Sequence, residues 1–459
     1  MVEWTPVSSP SSRRALTVGL LTCVTAVAFE GMAVVTAMPA AAADLGDLHL
    51  YAWAFTAMMI AQLIAIVVAG RVTDAIGPVK PLLVGLVVFA VGIVLAALAP
   101  TMMVLLVARF IQGLGGGAVY LTLMVITAIA FDPVERARIM TWYSAAWMLP
   151  SFVGPAVAAW LSETFSWHWV FWAVLPFVLA GVALMAPGLR HLAQRQPPDA
   201  AGPARPVPTH AAMAVAAGIA LVQVAGQRLE PVSLLWLAAG AVLLVVWFRQ
   251  LMPRGFAPTA SGLPSVVNTR LLVSGAFFGS QAFVPLMLTT RGVSLQVAGL
   301  VITAGSVGWM LGSWLQARPW LRLSRDQIII AGASSVAMGV ALLAVGGWVG
   351  GAGLALPTLG SVLAGVGMGL QSASTSLATM QLSPAAEIGR NTSSLQVGEV
   401  TGNALFAGAA GTIFAALNPL GVDAQTFGWL MTAMAVLACV GVLAAHRIGH
   451  VENHSLRTA

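Results

Sequence analysis

Three ionisable residues stand inside stretches that are otherwise apolar: Glu30, Arg109 and Glu399. A charge held in hydrocarbon costs about 2.5–3.5 kcal/mol on insertion scales, so each needs a partner or a purpose. Glu30 falls about nine residues before the outer end of its stretch, and Arg109 about seven after the outer start of another. At 1.5 Å per residue both lie roughly 10 to 14 Å below the same face, where they can meet. Burial favours the neutral acid there, while a guanidinium favours the carboxylate. Opening such a site to one face and then to the other shifts that balance and moves a proton. A static ion pair pinning two helices is the plainer reading, but intramembrane ionisable residues are functional by default. Glu399 lies near Gln396 and Asn403. It reads as a second proton site, as a ligand for a cationic substrate, or as a neutral acid hydrogen-bonded to a neighbouring helix.

The elements that must position these groups are membrane spans. Of 459 residues, 59% are hydrophobic and 8% charged, and the mean hydropathy is +0.91. A soluble domain carries roughly a quarter of its residues charged, so soluble, disordered and disulfide-rich secreted classes are excluded. Apolar runs of roughly 20 residues, enough to cross hydrocarbon, occur fourteen times. Six lie at 15–38, 52–70, 81–99, 102–128, 139–161 and 169–186. A connector rich in proline (Pro197, Pro198, Pro203, Pro206, Pro208) follows, and then two short spans, 211–227 and 232–248. Six more lie at 266–288, 295–317, 327–348, 354–380, 392–417 and 425–445. The predicted fold is all-α and integral to the membrane, with two six-helix bundles (1–190 and 266–459) joined by a linker, 191–265, that carries two further transmembrane helices. Twelve spans plus an interfacial hairpin is the alternative, because the central pair is short and Gln223 interrupts its first member.

Charge placement orients the chain, since cytoplasmic loops are enriched in Lys and Arg. With the N-terminus inside, only Arg228 and Arg291 of the 21 Lys and Arg fall outside, and Arg109 lies within a span. The remainder, Arg270 included, are assigned to the cytoplasmic side, so both termini are expected there, in a multi-pass protein of the cell membrane. The first run is long for a cleaved signal peptide and reads as a span. The basic residues are scattered in short clusters, which fits orientation and gives no nucleic-acid patch. Cys23 and Cys439 lie in apolar runs and suggest neither metal nor disulfide.

Other motifs carry mechanical logic. In the loop after the second span stand Gly70, Arg71, Asp74, Gly77 and Lys80. Glycine permits close approach and Asp74 can cap a helix N-terminus, so with Arg71 and Lys80 it forms a cytoplasmic latch; a solvated hairpin is the plainer alternative. The two blocks repeat faintly: Gly70 matches Gly312, Asp74 matches Gln316, and Gly113, Gly115 and Gly117 match Gly365, Gly367 and Gly369. Parallel repeats of this kind build one class of secondary transporter. The glycine runs lack a preceding strand, so they serve helix packing rather than nucleotide binding. Pro150, Gly154 and Pro155 free backbone carbonyls and make a hinge. Trp53, Phe55, Trp147, Phe278, Gln281, Phe283 and Trp309 are cavity candidates, though plain packing competes for each. Trp167, His168, Trp169 and Trp172 read as an interface belt. Metalloprotease and phosphate-loop motifs are missing, so no enzyme activity and no cofactor are expected.

Several of these residues resemble the Major Facilitator Superfamily, in particular its fourteen-helix drug/proton antiporters. Gly70-Arg71-Val72-Thr73-Asp74-Ala75-Ile76-Gly77-Pro78-Val79-Lys80 is similar to the signature loop after the second helix, with Pro78 and Val79 at usually basic positions. Arg109-Phe110-Ile111-Gln112-Gly113-Leu114-Gly115 is similar to the fourth-helix motif, whose arginine the family associates with proton coupling. Gly154-Pro155 resembles the core of the fifth-helix antiporter motif, with Pro150 and Ala158-Ala159 where glycines are usual. Glu30, followed by Thr36-Ala37-Met38-Pro39, resembles the acidic first-helix motif, with Glu for Asp. The resemblance implies a proton-coupled exporter of amphipathic or hydrophobic small molecules that works by alternating access, with protons and membrane lipid as its other partners. A lipid or glycolipid transporter of the same fold is the close rival. A non-transporting receptor or scaffold is the rival of another class.

Overall fold

A computed structural model of the chain describes residues 10–452, apart from 132, 194–207, 228–230, 319, 351–352, 385–386 and 418–423. Every regular element among the described residues is a helix. In the first half, α1 spans Pro10–Leu45, α2 Trp53–Ile76, α3 Val79–Ala97, α4 Met102–Ala130, α5 Pro133–Thr164, α6 His168–Trp172 and α7 Leu175–Ala193. The central pair is α8, Thr209–Gln227, and α9, Ser233–Leu251. In the second half, α10 spans Leu263–Gln281, α11 Val284–Thr289, α12 Leu295–Gln316, α13 Arg325–Val349, α14 Ala355–Leu382, α15 Ile388–Leu417 and α16 Ala424–Ala445.

Counted as spans, α6 with α7 form one crossing and α10 with α11 another, so the sixteen helices make fourteen. Twelve of these crossings are long and apolar enough for a membrane on composition alone; α5 and α14 are the other two. α14 carries Gln371, Ser372, Ser374, Thr375, Ser376 and Thr379, and these polar side chains lower its apolar average. α8 and α9 have 19 residues each, about 28 Å of helix. That length and their composition favour fourteen crossings over twelve with a hairpin.

The chain divides into two compact units, one of residues 1–46 and 61–209, the other of 47–60 and 210–459. The central pair falls in the second of these units. The prolines Pro197, Pro198, Pro203 and Pro206, together with Arg195, Arg205, Arg228 and Arg457, lie outside the described residues.

Within the units the packing repeats. In the first, α1 packs on α5 and α7, and α3 on α4. In the second, α10 packs on α15 and α16, and α13 on α14. The matched glycines make the closest approaches. A Cβ on Gly115 would lie 2.6 Å from the Phe89 Cα of α3, and one on Gly117 2.7 Å from the Gln62 carbonyl of α2. A Cβ on Gly367 would lie 2.6 Å from the Val336 amide nitrogen of α13, and one on Gly369 2.5 Å from that of Ser313 on α12. In each unit, glycines two residues apart thus clear the way for the two helices that flank the fourth. Small residues at such positions let backbones pack where lipid offers no hydrophobic drive to associate.

Candidate functional site

In the first unit, Glu30 lies midway along α1 and Arg109 two turns into α4. The Arg109 Nη1 donates to Glu30 Oε1, forming an ion pair with 3% and 0% of the two side chains exposed. The same nitrogen donates to Gln112 Oε1 at 2.9 Å, one turn further along α4. Glu30 Oε2 and Gln112 Nε2, an acceptor and a donor, are both buried with no hydrogen-bond partner. Gln112 is seated by a glycine across the helix interface: a Cβ on Gly92 of α3 would lie 2.6 Å from its Cγ and backbone nitrogen. Depth and spacing in the sequence had brought Glu30 and Arg109 together. The role of Gln112 had no sequence signal beyond its place three residues after Arg109 on one helix face.

The second unit holds another buried pair, which revises the sequence reading. Arg270, counted above among the cytoplasmic charges, is 6% exposed within α10. Its Nη2 donates to Glu399 Oε2 of α15 at 2.8 Å and its Nη1 to Thr375 Oγ1 of α14 at 3.0 Å. The helix begins at Leu263, after Gly262 at φ +74°, which places Arg270 about 10 Å inside it. Counting loop charges hid this residue because it stands only four positions into the apolar run. The signal was Glu399, which needed a cation. With its amide oriented to satisfy its neighbours, Asn403 donates to the Ser274 and Glu399 carbonyls at 3.2 Å, tying α15 to α10. Gln396 is part-buried on α15.

The loop residues after the second span are less closely knit. Arg71, Asp74 and Lys80 are exposed. Arg71 donates to Thr209 Oγ1 at 2.8 Å. Asp74 occupies the last turn of α2, and α3 begins at an N-cap Pro78 with no side-chain cap bond. Asp74 therefore does not cap α3, because α2 runs on past it as far as Ile76. Gly77 takes φ +81° and ends α2, its amide donating to the Thr73 carbonyl. In the repeat, Gln316 at the position matching Asp74 is 9% exposed and accepts from Arg325 Nη1 at 2.8 Å.

α5 runs through Pro150 and Pro155 as one helix. Gly154, between them, faces Phe29 and Met32 of α1 at ordinary contact distance. Of the cavity candidates, Phe55 and Phe283 are 5% and 0% exposed and meet the Tyr51 ring edge-on at 5.5 Å and tilted at 5.2 Å, respectively. The run of tilted ring contacts continues from Phe283 through Phe414 to Phe427. Phe278 and Trp309 are part-buried and meet edge-on at 6.3 Å. Gln281 is 8% exposed with its Nε2 unpartnered, and Trp53 is part-buried. Trp147 lies on α5 with its side chain outside the described residues. Trp169 is exposed, as an interface residue would be, but Trp167 is 3% exposed and donates to Asp44 Oδ2 at 3.0 Å, so it belongs to the packed interior.

Outside the spans, Arg291 follows α11 and donates to the Gly346 and Gly347 carbonyls at 2.8 Å each. It thereby caps the C-terminus of α13, where a cation meets the negative end of the helix dipole. Partial burial pushes its guanidinium below the usual arginine range. Among the described residues no group of His, Cys, Asp and Glu could hold a metal ion.

Comparison with known proteins gives the chain a family. The model of the Major Facilitator Superfamily matches residues 20–407. An uncharacterized MFS-type transporter of Mycobacterium tuberculosis is 29% identical over 317 residues, 67% of this chain and 46% of that protein. Multidrug transporter protein MdtP of Bacillus subtilis is 31% identical over 187 residues, 41% of this chain and 35% of that one. Multidrug efflux pump SdrM of Staphylococcus aureus is 24% identical over 309 residues, 66% and 68% of the two chains. The match thus spans less than half the length of the first two relatives. Among solved structures, peptide transporter POT in complex with alafosfalin superposes with a TM-score of 0.69 at 17% identity, over 94% of each chain, a likeness of fold. The chain is an integral, multi-pass membrane protein and belongs to the Major Facilitator Superfamily.

Proposed function

We propose that the chain is a proton-coupled exporter of amphipathic or hydrophobic small molecules that works by alternating access in the cell membrane, with both termini cytoplasmic. The observation that carries this reading is the buried Glu30–Arg109 pair. A carboxylate with one oxygen on a guanidinium and the other without a partner is held charged only by that cation. Lengthening the contact lets Glu30 take a proton, and restoring it expels the proton. Glu30 is fully buried here, so exchange requires α1 to move against α4. In this reading Pro150, Gly154 and Pro155 supply the bend of α5 beside α1. Gly70, Arg71, Asp74, Gly77 and Lys80 form the cytoplasmic gating loop, and the part-buried Phe278 and Trp309 contact the cargo. Export of varied compounds agrees with the names of two relatives, a multidrug transporter and a multidrug efflux pump.

The test is flux in liposomes with an imposed pH gradient. Glu30→Gln is expected to abolish gradient-driven flux while substrate binding to the purified protein persists. Unchanged gradient-driven flux in that variant would refute the proton role.

A further inference from the structure

The second unit contains a polar cluster that the Glu30–Arg109 mechanism does not use. Arg270 spends two of its nitrogens on Glu399 and Thr375, and its Nε–H, buried, has no acceptor. One turn along the same face of α10, Ser274 is fully buried with its hydroxyl unpartnered. At Arg270, then, one guanidinium N–H lacks an acceptor, beside a Ser274 hydroxyl that can donate or accept. Buried donors left unmade cost about 1–3 kcal/mol each, so their retention calls for an occupant that accepts. Four residues beyond Ser274, Phe278 continues the same helix face, and with Phe277 and Trp309 of α12 it forms an aromatic group whose members lie 5.2 to 6.3 Å apart. From Arg270 to Phe278 the helix rises about 12 Å.

We propose that this cluster binds the anionic head of an amphipathic compound whose apolar ring lies on Phe278 and Trp309, and that the anion displaces Glu399 from Arg270. The proposal rests on the transporter reading above and names the substrate class. A cationic cargo is disfavoured because Arg270 already neutralises Glu399, so a second cation meets a site with no net charge. Once displaced, the carboxylate of Glu399 loses its compensating cation and takes a proton from water. Anion and proton then bind with mutual enhancement, as linkage requires. Few other charges compete. Within α10, α14, α15 and α16 the ionisable groups besides this pair are Arg390 in the first turn of α15 and the exposed thiol of Cys439. On α13, Arg325 is held by Gln316, and Asp326 accepts from the Val451 amide.

The experiment uses the purified full chain in detergent with two permanently charged probes of equal ring size, an arylsulfonate and an aryl quaternary ammonium. Binding is followed by tryptophan fluorescence, and proton exchange in weakly buffered solution. The sulfonate is expected to bind at least tenfold more tightly, about 1.4 kcal/mol, with proton uptake. Arg270→Gln removes the preference. Glu399→Gln tightens sulfonate binding and abolishes the uptake. Should Arg270→Gln fail to fold, the double variant Arg270→Gln with Glu399→Gln, which leaves no charge in this cluster, is expected to bind the two probes equally. Tighter binding of the ammonium, or a sulfonate preference that survives loss of Arg270, would overturn the proposal. Glu30→Gln separates the two readings, since it removes gradient-driven flux yet leaves sulfonate binding intact.

Discussion

Replacing either member of the Glu30–Arg109 pair strands the other, and the two stranded groups differ in what they can do about it. Removing one partner of a buried pair costs about 3–5 kcal/mol because the remaining charge is uncompensated. In Glu30→Gln the guanidinium keeps its bond to Gln112 Oε1, and the new amide oxygen can accept in place of Oε1, so the loss falls near the lower end, about 3 kcal/mol. An arginine cannot shed its proton to escape, so this cost does not vary with pH. In Arg109→Met the buried acid can become neutral by holding a proton that the unfolded chain releases. Stability then falls as pH rises, since the folded state binds more protons than the unfolded one. The double variant Glu30→Gln with Arg109→Met carries no buried charge at this site and is expected to recover most of the loss at every pH. Thermal unfolding of the four proteins in detergent from about pH 5 to about pH 8 closes the cycle, with an expected coupling of about 2–3 kcal/mol. A coupling under about 0.5 kcal/mol, or an Arg109→Met variant whose stability ignores pH, would refute the claim that these groups compensate each other out of contact with water.

Two further outcomes test the packing. Gly115→Ala must push Cβ into the backbone of Phe89 and is expected to lower stability by about 1–3 kcal/mol, whereas Gly116→Ala, whose Cβ would meet the Phe89 ring at an ordinary 3.7 Å, should be neutral or slightly stabilising; equal unfolding temperatures would count against the close approach. Arg291→Met removes two charged hydrogen bonds to the end of α13 and, discounted for partial exposure, should cost about 1–3 kcal/mol in the same measurement.

The fold was legible because a membrane writes its constraint into composition. Every crossing needs a long apolar run, and α8 and α9, the shortest runs, still reach 19 residues. Glu30 and Arg109 were legible for the same reason, each being conspicuous against its surroundings. Arg270 was not. A cation near the start of a run looks like an orienting loop charge, and only the true helix start at Leu263 separates the two readings. The cap assigned to Asp74 failed on a boundary as well, because α2 continues through it. Phe55 and Phe283 show a different limit: type and spacing cannot distinguish an aromatic that lines a passage from one packed against Tyr51.

The two units share their packing plan but not their charge plan, and the physical requirements explain why. Close helix approach demands a small residue at a fixed register, so Gly115 and Gly117 recur as Gly367 and Gly369 against equivalent neighbours. An ion pair demands only a partner within reach, so it is free to differ. In the first unit the acid lies on α1 and its cation on α4; in the second the cation lies on α10, the opening helix of the second six-helix block, and the acid on α15, its fifth crossing. The two pairs are therefore not copies, and losing the acid has unequal consequences. Without Glu30, Arg109 retains the Gln112 amide oxygen as an acceptor. Without Glu399, Arg270 retains the hydroxyl of Thr375, itself committed to the Gln371 carbonyl at 2.8 Å, and has an Nε–H with no acceptor. Both cations lose their countercharge when the acid is neutralised, but Arg270 is the one left with an N–H lacking any acceptor, which makes it the stronger attractor for an anion arriving from outside the chain.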